Sequence, residues 1–256
     1  MQVLVINLDK DTKRMSYMAS QLEALGILYE RLSAVDGRVV DTSYRYRDDI
    51  ALLKNGVVLL PGEVGCALSH VMAYERASQY SGYTLVLEDD VELPQNFKQI
   101  LCTEIDRNKK LNIWEYLSFD YLQPGFPFLK FWLNSIRLNS KKQMGFNKIK
   151  FILVSATKAA YIVPMSLYEG VRNWYKKYMP GPVKFYRPLY LAGAYLITNK
   201  GAEKMLRLTH PIVYPADKLP NKARVIEGLK FYAYAPVCVR QKKREFGSSI
   251  LGIKLP

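Results

Sequence analysis

A run of three acids, Glu88-Asp89-Asp90, directly follows the apolar segment 84–87. An apolar segment of this length is typical of a buried strand, so the acids are expected at the end of a strand. Because side chains alternate along a strand, Glu88 and Asp90 should point to one side and Asp89 to the other, unless the chain has already turned.

Three adjacent carboxylates in a partly buried place repel one another unless a cation or a proton intervenes. Oxygen ligands suit magnesium or manganese, and such an ion can bridge two phosphates of a nucleotide and neutralise a leaving group. The acidic run therefore indicates a metal-assisted site. A solvated turn or a helix cap is the alternative, since aspartate is common in both.

The elements that must position these acids begin with a predicted βαβ unit. The segment 3–8 predicts a buried strand, and a helix should begin at Asp11 or Thr12 and end at Leu25, where Gly26 stops it. A second strand is expected over 28–32, before the turn Ala34-Val35-Asp36-Gly37. Such units build parallel sheets, whose ligands bind at the carboxyl ends of the strands.

The rest of the chain predicts further alternation of helices and strands, apart from residues 41–60, for which no element is assigned. We therefore expect an α/β fold with a mixed, mostly parallel central sheet flanked by helices, in a single domain over 1–256. The predicted elements are a helix over 61–80, a strand over 84–87, a helix over 94–106, a strand over 160–163, a helix over 165–178, a strand over 193–198, and a helix over 199–208 capped by Asn199.

The net charge of +14 predicts an anionic partner. The excess lies after residue 120, and no zinc-finger spacing, RNP-like strand or helix-turn-helix accompanies it, which favours phosphorylated substrates or a lipid surface over nucleic acid. Segment 121–150 mixes basic and aromatic residues and is expected to be an insertion or an acceptor-side segment. Residues 236–256 are expected to form a basic tail.

The three cysteines are widely spaced and include no CxxC pair, which argues against a disulfide scaffold or a structural zinc site. No signal peptide is evident before the first strand, and no apolar run approaches the roughly 20 residues of a membrane span. We therefore expect a cytoplasmic protein that associates peripherally with the inner membrane.

Several ordered motifs resemble glycosyltransferase family 25, the lipopolysaccharide and lipooligosaccharide galactosyltransferases. Each motif is weak alone, but their order and spacing are fairly specific and cover most of the chain. The motifs are Val5-Ile6-Asn7-Leu8 with Arg14 downstream, Ala34-Val35-Asp36-Gly37, Gly62-Glu63-Val64-Gly65-Cys66-Ala67-Leu68-Ser69-His70, Leu87-Glu88-Asp89-Asp90-Val91, Gly193-Ala194-Tyr195-Leu196-Ile197-Thr198 and Pro215-Ala216-Asp217-Lys218-Leu219.

The resemblance implies a GT-A type fold, a divalent metal, with manganese expected before magnesium, and an inverting transfer from UDP-galactose. The acceptor would be a lipid-linked oligosaccharide of a bacterial lipooligosaccharide or lipopolysaccharide, at an anionic membrane surface. Asp90, and then Glu88, are the expected metal ligands. The implied donor-binding residues are Asn7, Leu8, Arg14, Ala34, Val35, Asp36, His70, Glu88, Asp89, Gly193 and Ala194.

Asp217 is the general base that the resemblance implies, and a helix N-cap is its competing interpretation. His70 has a packing role as its alternative, and Arg14 a solvated helix face. The sequence departs from many GT-A enzymes because no histidine follows His210 to complete a metal shell. Gln241 or a water could take that place.

Three alternative functions remain open from the sequence. The donor could be another UDP-sugar, with glucose or N-acetylhexosamine in place of galactose. A nucleotidyltransferase also needs acids at strand ends and a metal, but the segment 7–11 lacks the glycine-rich loop that grips a triphosphate. A non-enzymatic basic module that binds nucleic acid or lipid would not need the acids at all.

Overall fold

The computed structural model describes residues 1–121, 176, 179–185 and 188–242. The chain forms two compact units, Met1–Tyr121 with Gly181–Pro256, and Leu122–Pro180. The geometry below belongs to the first unit. The predicted strand over 160–163 lies outside the described residues, as do nearly all of the predicted insertion, nearly all of the predicted helix over 165–178, and the basic tail beyond residue 242.

The described residues contain nine strands and six helices. The strands are β1 (Gln2–Asn7), β2 (Glu30–Ser33), β3 (Tyr83–Glu88), β4 (Val91–Glu92), β5 (Tyr116–Ser118), β6 (Gly181–Val183), β7 (Ala194–Thr198), β8 (Phe231–Ala235) and β9 (Arg240–Gln241). The helices are α1 (Thr12–Ala24), α2 (Asp48–Asn55), α3 (Pro61–Gln79), α4 (Phe97–Leu111), α5 (Asn199–Leu206) and α6 (Leu219–Ile226). Within this part of the chain, no helix is both long and apolar enough to cross a membrane.

Seven strands form the central sheet in the order β2-β1-β3-β7-β5-β8-β6. β1 pairs in parallel with both β2 and β3, and β5 pairs in parallel with β8. β7 and β6 are antiparallel to their neighbours. Five of the seven strands therefore run in one direction, which confirms the predicted mixed, mostly parallel sheet. The short strands β4 and β9 form a separate antiparallel ribbon.

The sheet has an apolar core on each face, which explains why its first strands are continuously apolar. Leu4 and Ile6 of β1 belong to a cluster with Tyr74 of α3, whereas Val3 and Val5 belong to a cluster with residues of α1 and α4. Alternating side chains of one strand thus enter opposite layers. Because helices cover both faces of the sheet, the ends of the strands are the part of the sheet that a ligand can reach.

Some predicted element boundaries differ from the structure, including that of β2, which covers Glu30–Ser33 instead of 28–32. The N-cap of α5 is Thr198 rather than Asn199, because the Thr198 hydroxyl accepts a hydrogen bond from the Gly201 amide at 3.1 Å. Helix α4 begins at Phe97 rather than residue 94 and continues to Leu111. Helix α2 occupies part of the stretch for which the sequence predicts no element.

Candidate active site

A cavity of about 260 Å³ opens where β1, β2 and β3 reach their carboxyl ends. This is the edge at which the predicted βαβ unit is expected to bind a ligand. The lining residues are Ile6, Asn7, Leu8, Asp11, Arg14, Ala34, Val35, Asp36, Gly37, Gly62, Glu63, Cys66, Ser69, Glu88, Asp89, Asp90, Leu191, Ala192, Pro215, Ala216, Asp217 and Gln241.

Most of the residues implied by the motifs line this cavity, although they come from four separate segments. The set comprises Asn7, Leu8, Arg14, Ala34, Val35, Asp36, Glu88, Asp89, Asp90 and Asp217. His70, Gly193 and Ala194 do not line it. His70 contacts the lining residue Glu88, and Gly193 and Ala194 contact Asp120, which does not line the cavity.

Asp89 uses both of its carboxylate oxygens inside the protein. Its Oδ2 accepts a hydrogen bond from the Asn7 side-chain amide at 2.6 Å, and its Oδ1 accepts one from the Arg14 guanidinium at 3.1 Å. Burial raises the pKa of Asp89, and these two partners oppose that rise. Asp89 therefore joins the acidic turn to β1 and α1, as a carboxylate held by protein donors.

Arg14 occupies a buried position between two of the acids. Its guanidinium lies 3.1 Å from Asp89 Oδ1 and 3.7 Å from Asp90 Oδ2. Only 8% of the residue is exposed. The arginine thus offsets the negative charge of the acidic turn, a structural use that differs from the solvated helix face considered for it.

Glu88 lies on the other side of the acidic run, towards α3. Its Oε1 is 3.2 Å from the His70 Nε2 atom, and its Oε2 accepts a hydrogen bond from the Gln241 amide at 3.0 Å. The other ring nitrogen of His70 lies 2.9 Å from the Tyr195 hydroxyl. The buried histidine therefore holds the orientation of Glu88, whose side chain is 23% exposed.

Gln241 reaches the cavity from a distant part of the chain. The β4–β9 ribbon places Gln241 opposite Val91, immediately after the acidic run, and the Lys242 amide donates to the Asp90 carbonyl at 2.7 Å. The Gln241 Oε1 atom is buried and has no hydrogen-bond partner among the described residues. A buried amide oxygen of this kind can bind a cation or accept a hydrogen bond from a ligand.

The turn after β2 is fixed against the first turns of α3. The Ala34 amide donates to the Asn7 carbonyl at 2.9 Å, and the Val35 amide donates to the Ser69 hydroxyl at 2.8 Å. A side chain at Gly65 would place its Cβ 2.4 Å from the Val35 carbonyl oxygen. Close backbone contact therefore requires glycine here, and it positions the turn that lines the cavity.

Asp36 in this turn accepts a hydrogen bond from the side chain of Lys10 and another from the Arg38 amide at 3.2 Å. The hydrogen bond from Lys10 lowers the pKa of Asp36. The residue is thus a carboxylate at the rim of the cavity, where it can accept hydrogen bonds from hydroxyl or amide groups of a ligand.

Asp120 is a buried acid of the site that the sequence motifs do not indicate. It follows β5, and its two oxygens accept hydrogen bonds from the amides of Gly193 and Ala194 at 2.8 and 2.9 Å. Burial raises the pKa of Asp120 well above its usual range, and the nearby charge of Glu88 adds to the effect. The signal available in the sequence was an acid after the mostly apolar segment 116–119, which Ser118 interrupts, a weaker form of the pattern before Glu88.

Gly193 and Ala194, predicted from the motifs to bind the donor, hold Asp120 through their backbone amides and are not among the residues that line the cavity. The Gly193 carbonyl also accepts a hydrogen bond from the Glu88 amide at 2.7 Å. A Cβ at Gly193 would lie 2.7 Å from Asp120 Oδ2 and 2.9 Å from Gln241 Nε2. Because Gly193 has no side chain, the start of β7 can lie close to Asp120 and Gln241.

Asp217 lines the cavity and lies just before α6 in the chain. The N-cap of α6 is Lys218, so Asp217 is not the helix cap that the sequence left as its alternative. Burial raises the pKa of Asp217, Lys218 lowers it in part, and the charges of Glu63 and Glu88 raise it further. A carboxylate with a raised pKa in a cavity is well suited to accept a proton.

Comparison with known proteins identifies the family. The family described as "Glycosyltransferase family 25 (LPS biosynthesis protein)" matches the chain over residues 1–220. The chain belongs to glycosyltransferase family 25. Its mixed sheet with flanking helices is consistent with a GT-A-like glycosyltransferase fold. Membership of this family supports a glycosyltransferase.

Three relatives show the range within the family. An Aedes aegypti "Glycosyltransferase 25 family member" is 29% identical over 46% of this chain and 20% of its own length. A Mus musculus "Inactive glycosyltransferase 25 family member 3" is 34% identical over 39% of this chain and 18% of its own length. The Homo sapiens "Procollagen galactosyltransferase 2" is 29% identical over 45% of this chain and 20% of its own length.

The family 25 chain thus spans about a fifth of the length of these relatives. One of them is named inactive, so membership alone does not establish turnover. Activity in this chain has to be argued from the residues that line its cavity.

Proposed function

We propose that this family 25 chain transfers galactose from UDP-galactose to a sugar of a lipooligosaccharide or lipopolysaccharide acceptor, with inversion at the transferred carbon. The observation that carries the proposal is the convergence of β1, the turn after β2, the acidic run and Asp217 on one cavity. The family description supports the class of acceptor, and the printed name of the human relative supports galactose as the donor sugar.

A divalent ion, with manganese favoured over magnesium, fits the chemistry of the donors at the acidic run. Asp90 and Glu88 offer carboxylate oxygens, and the buried Oε1 atom of Gln241 offers an amide oxygen without a hydrogen-bond partner among the described residues. These hard oxygen donors match the preference of both ions. When bound, the ion supplies positive charge that neutralises the departing diphosphate.

The nucleoside would bind between the end of β1 and the turn after β2. Asn7 and Leu8 line this part of the cavity beside Ala34, Val35 and Asp36. Asp36 can accept hydrogen bonds from ribose or uracil at the rim. Because the Ser69 and Asn7 contacts fix the turn, this half of the cavity is preformed.

Asp217 would act as the general base. In an inverting transfer, the base removes the proton of the acceptor hydroxyl on the face opposite the departing diphosphate. Asp217 lies in the same cavity as the acidic run but on a different segment, and its raised pKa increases its affinity for that proton. The proton of the acceptor hydroxyl would therefore pass to the Asp217 carboxylate as the new glycosidic bond forms.

We further propose that the protein acts at the inner face of a bacterial membrane, in peripheral contact with anionic lipid. The net charge of +14 supports this placement, and a lipid-linked acceptor would require it. The basic and aromatic segment 121–150 and the basic tail that carry much of this charge lie almost entirely outside the described residues.

A panel of UDP-sugars tests the proposed donor. Release of UDP from UDP-galactose, UDP-glucose and the UDP-N-acetylhexosamines would be measured with manganese and with EDTA. We expect fastest release from UDP-galactose with manganese and little with EDTA. Preference for another sugar would replace galactose by the alternative donor, and no release from any UDP-sugar would contradict the proposed transfer.

A nucleotidyltransferase is the second enzymatic candidate, because it also uses acids at strand ends. Incubation with a nucleoside triphosphate and a sugar phosphate, followed by an assay for pyrophosphate, separates the two reactions. We expect no pyrophosphate, since the chain after β1 contains no glycine-rich loop to hold a triphosphate.

A further inference from the structure

A thiol, an imidazole and a carboxylate meet at the wall of the cavity on the α3 side. The Sγ atom of Cys66, a nitrogen of His70 and a carboxylate oxygen of Glu88 all lie within 4.8 Å of one another. The Glu88 Oε1 atom is 3.2 Å from His70 Nε2 and 4.0 Å from Cys66 Sγ. No feature of the proposed transfer requires the thiol.

The backbone holds these three groups together without any ion. Cys66 and His70 are four residues apart on α3, so their side chains lie on the same face of the helix. Glu88 ends the adjacent strand β3. The spacing of the donors is therefore set by the packing of α3 against the sheet and not by the flexibility of a loop.

The histidine is oriented as a metal ligand would be. Its Nδ1 atom lies 2.9 Å from the hydroxyl of Tyr195 on β7, which leaves Nε2 directed at Glu88. Metal-binding histidines usually have their second nitrogen held by a hydrogen bond in this way. His70 is 1% exposed, and the Tyr195 ring lies beside it with centroids 5.8 Å apart, so the imidazole has a fixed position.

We propose that Cys66, His70 and Glu88 form a binding site for a zinc-class cation. Sulfur, nitrogen and oxygen ligands of this type are those of zinc, whereas manganese and magnesium prefer oxygen. Tetrahedral zinc with bonds of about 2.0–2.3 Å needs ligand atoms roughly 3.3–3.8 Å apart. Glu88 Oε1 lies 3.2 and 4.0 Å from the other two ligand atoms, and all three lie within 4.8 Å of one another, so the Cys66 side chain would have to move inward to bind the ion.

The site leaves its fourth position towards the cavity, because Cys66 and Glu88 line the cavity while His70 lies behind them. A water or a ligand atom in the cavity would complete the tetrahedron. Binding releases the thiol proton to solvent, since the thiolate is the form that ligates. Zinc would bind the Glu88 oxygen that faces His70 and would repel a second cation nearby, so an occupied zinc site would oppose binding of a hard cation at the acidic run.

Cobalt(II) provides the direct test because it replaces zinc and reports a bound thiolate by its charge-transfer absorption in the near ultraviolet. The whole purified chain would be titrated with cobalt chloride. We expect one equivalent to produce the band, excess zinc to remove it, and Cys66→Ser and His70→Gln to abolish it. The matched variants Cys102→Ser and Cys238→Ser should retain the full band.

A second measurement uses the wild-type chain and does not depend on whether a variant folds. The rate at which each cysteine is alkylated would be monitored by peptide mass spectrometry. Zinc should slow alkylation of Cys66 by at least tenfold and leave the rate at the exposed Cys102 unchanged. Absence of the cobalt band, persistence of the band in Cys66→Ser, or equal alkylation of Cys66 with and without zinc would each overturn the site. None of these readouts involves sugar transfer, so failure here is distinguishable from failure of the proposed function.

Discussion

At the scale of single residues, the acids of the cavity have unequal surroundings. Asp89 is held by Asn7 and Arg14, whereas Glu88 is held by His70 and Gln241. Asp217 lines the same cavity on a different segment, and burial raises its pKa. Under the proposed function, these surroundings would give the carboxylates different tasks, because the environment of a carboxylate decides whether protein donors neutralise it or it accepts a proton.

Arg14→Met should destabilise the protein strongly. The change leaves Asp89 and Asp90 buried without the guanidinium, and breaking a buried ion pair in this way costs about 3–5 kcal/mol. Chemical denaturation would measure the free energy of unfolding. Lys13→Met, an exposed position on the same helix, is the control and should change it little. Equal effects of the two variants would show that the buried pair is unimportant.

Asp217→Asn should lower kcat/KM by about 100- to 10,000-fold, the usual contribution of a general base. The pH profile of the wild type should fall on the acid side at a pH above the ordinary range for aspartate, because the protonated carboxyl cannot accept the acceptor's proton. A profile that stays flat down to the usual aspartate range would contradict this role.

The same raised pKa has a consequence for stability. A folded-state pKa above the unfolded value favours folding at low pH, and that contribution is lost as the pH rises through the folded pKa. Asp217→Asn has no such ionisation, so at neutral pH its thermal midpoint should equal or exceed that of the wild type. Lost activity together with a lowered midpoint would instead indicate a structural defect.

Gln241→Leu should raise the manganese concentration needed for half-maximal activity by about 10- to 100-fold, as loss of a ligand or of its supporting contact does. The variant removes both the buried Oε1 atom and the hydrogen bond to Glu88. Arg240→Gln, the exposed neighbour on the same strand, is the matched control. An unchanged metal requirement in Gln241→Leu would exclude Gln241 from the metal shell.

Sequence patterns located the acidic run, Asp217 and the turn after β2, because each follows a short apolar segment or belongs to an ordered motif. They could not specify the partners of these residues. The contacts of Glu88 with His70 and of Asp120 with Gly193 join segments that are distant in sequence. Such contacts depend on how helices and strands pack, which local patterns do not encode.

Among the secondary-structure elements, the alternation of strands and helices up to β3 was predictable, because β1 and β3 are apolar on both faces and Gly26, with φ of +60°, follows the end of α1. The ribbon of β4 and β9 was not predictable, since two-residue strands carry no periodicity. That ribbon is nevertheless what brings Gln241 to the acidic run. The site therefore combines β3, which has a clear sequence pattern, with β9, which has none.

Gly65→Ala should separate α3 from the turn after β2. Its methyl would lie 2.4 Å from the Val35 carbonyl and 2.5 Å from the Gly37 amide, both of which are backbone. We expect a loss of about 1–3 kcal/mol in the free energy of unfolding, as for other overpacked sites, and weaker nucleotide binding. Gly82→Ala is the matched control, because its methyl would meet only the movable ring of Tyr80. Equal stability of the two variants would contradict the role of this contact.

For the molecule as a whole, the region that matches the family contains nearly all of the segments that line the cavity. The family match covers residues 1–220, and every element that lines the cavity except the one carrying Gln241 falls within that range. The matched region covers about a fifth of the length of the relatives in Aedes aegypti and Homo sapiens. Under the proposed function, the cavity binds the nucleotide of a UDP-sugar with the help of a divalent cation.

Calorimetric titration of UDP into the purified chain tests that claim most directly. With manganese present we predict that UDP binds at one site. The affinity for UDP should be at least tenfold weaker when EDTA replaces manganese, and at least tenfold weaker in Asp90→Asn with manganese present. Glu92→Gln, an exposed acid just beyond the run, should bind UDP as the wild type does. Failure of UDP to bind with manganese, or equal affinity in the wild type and Asp90→Asn, would contradict the account.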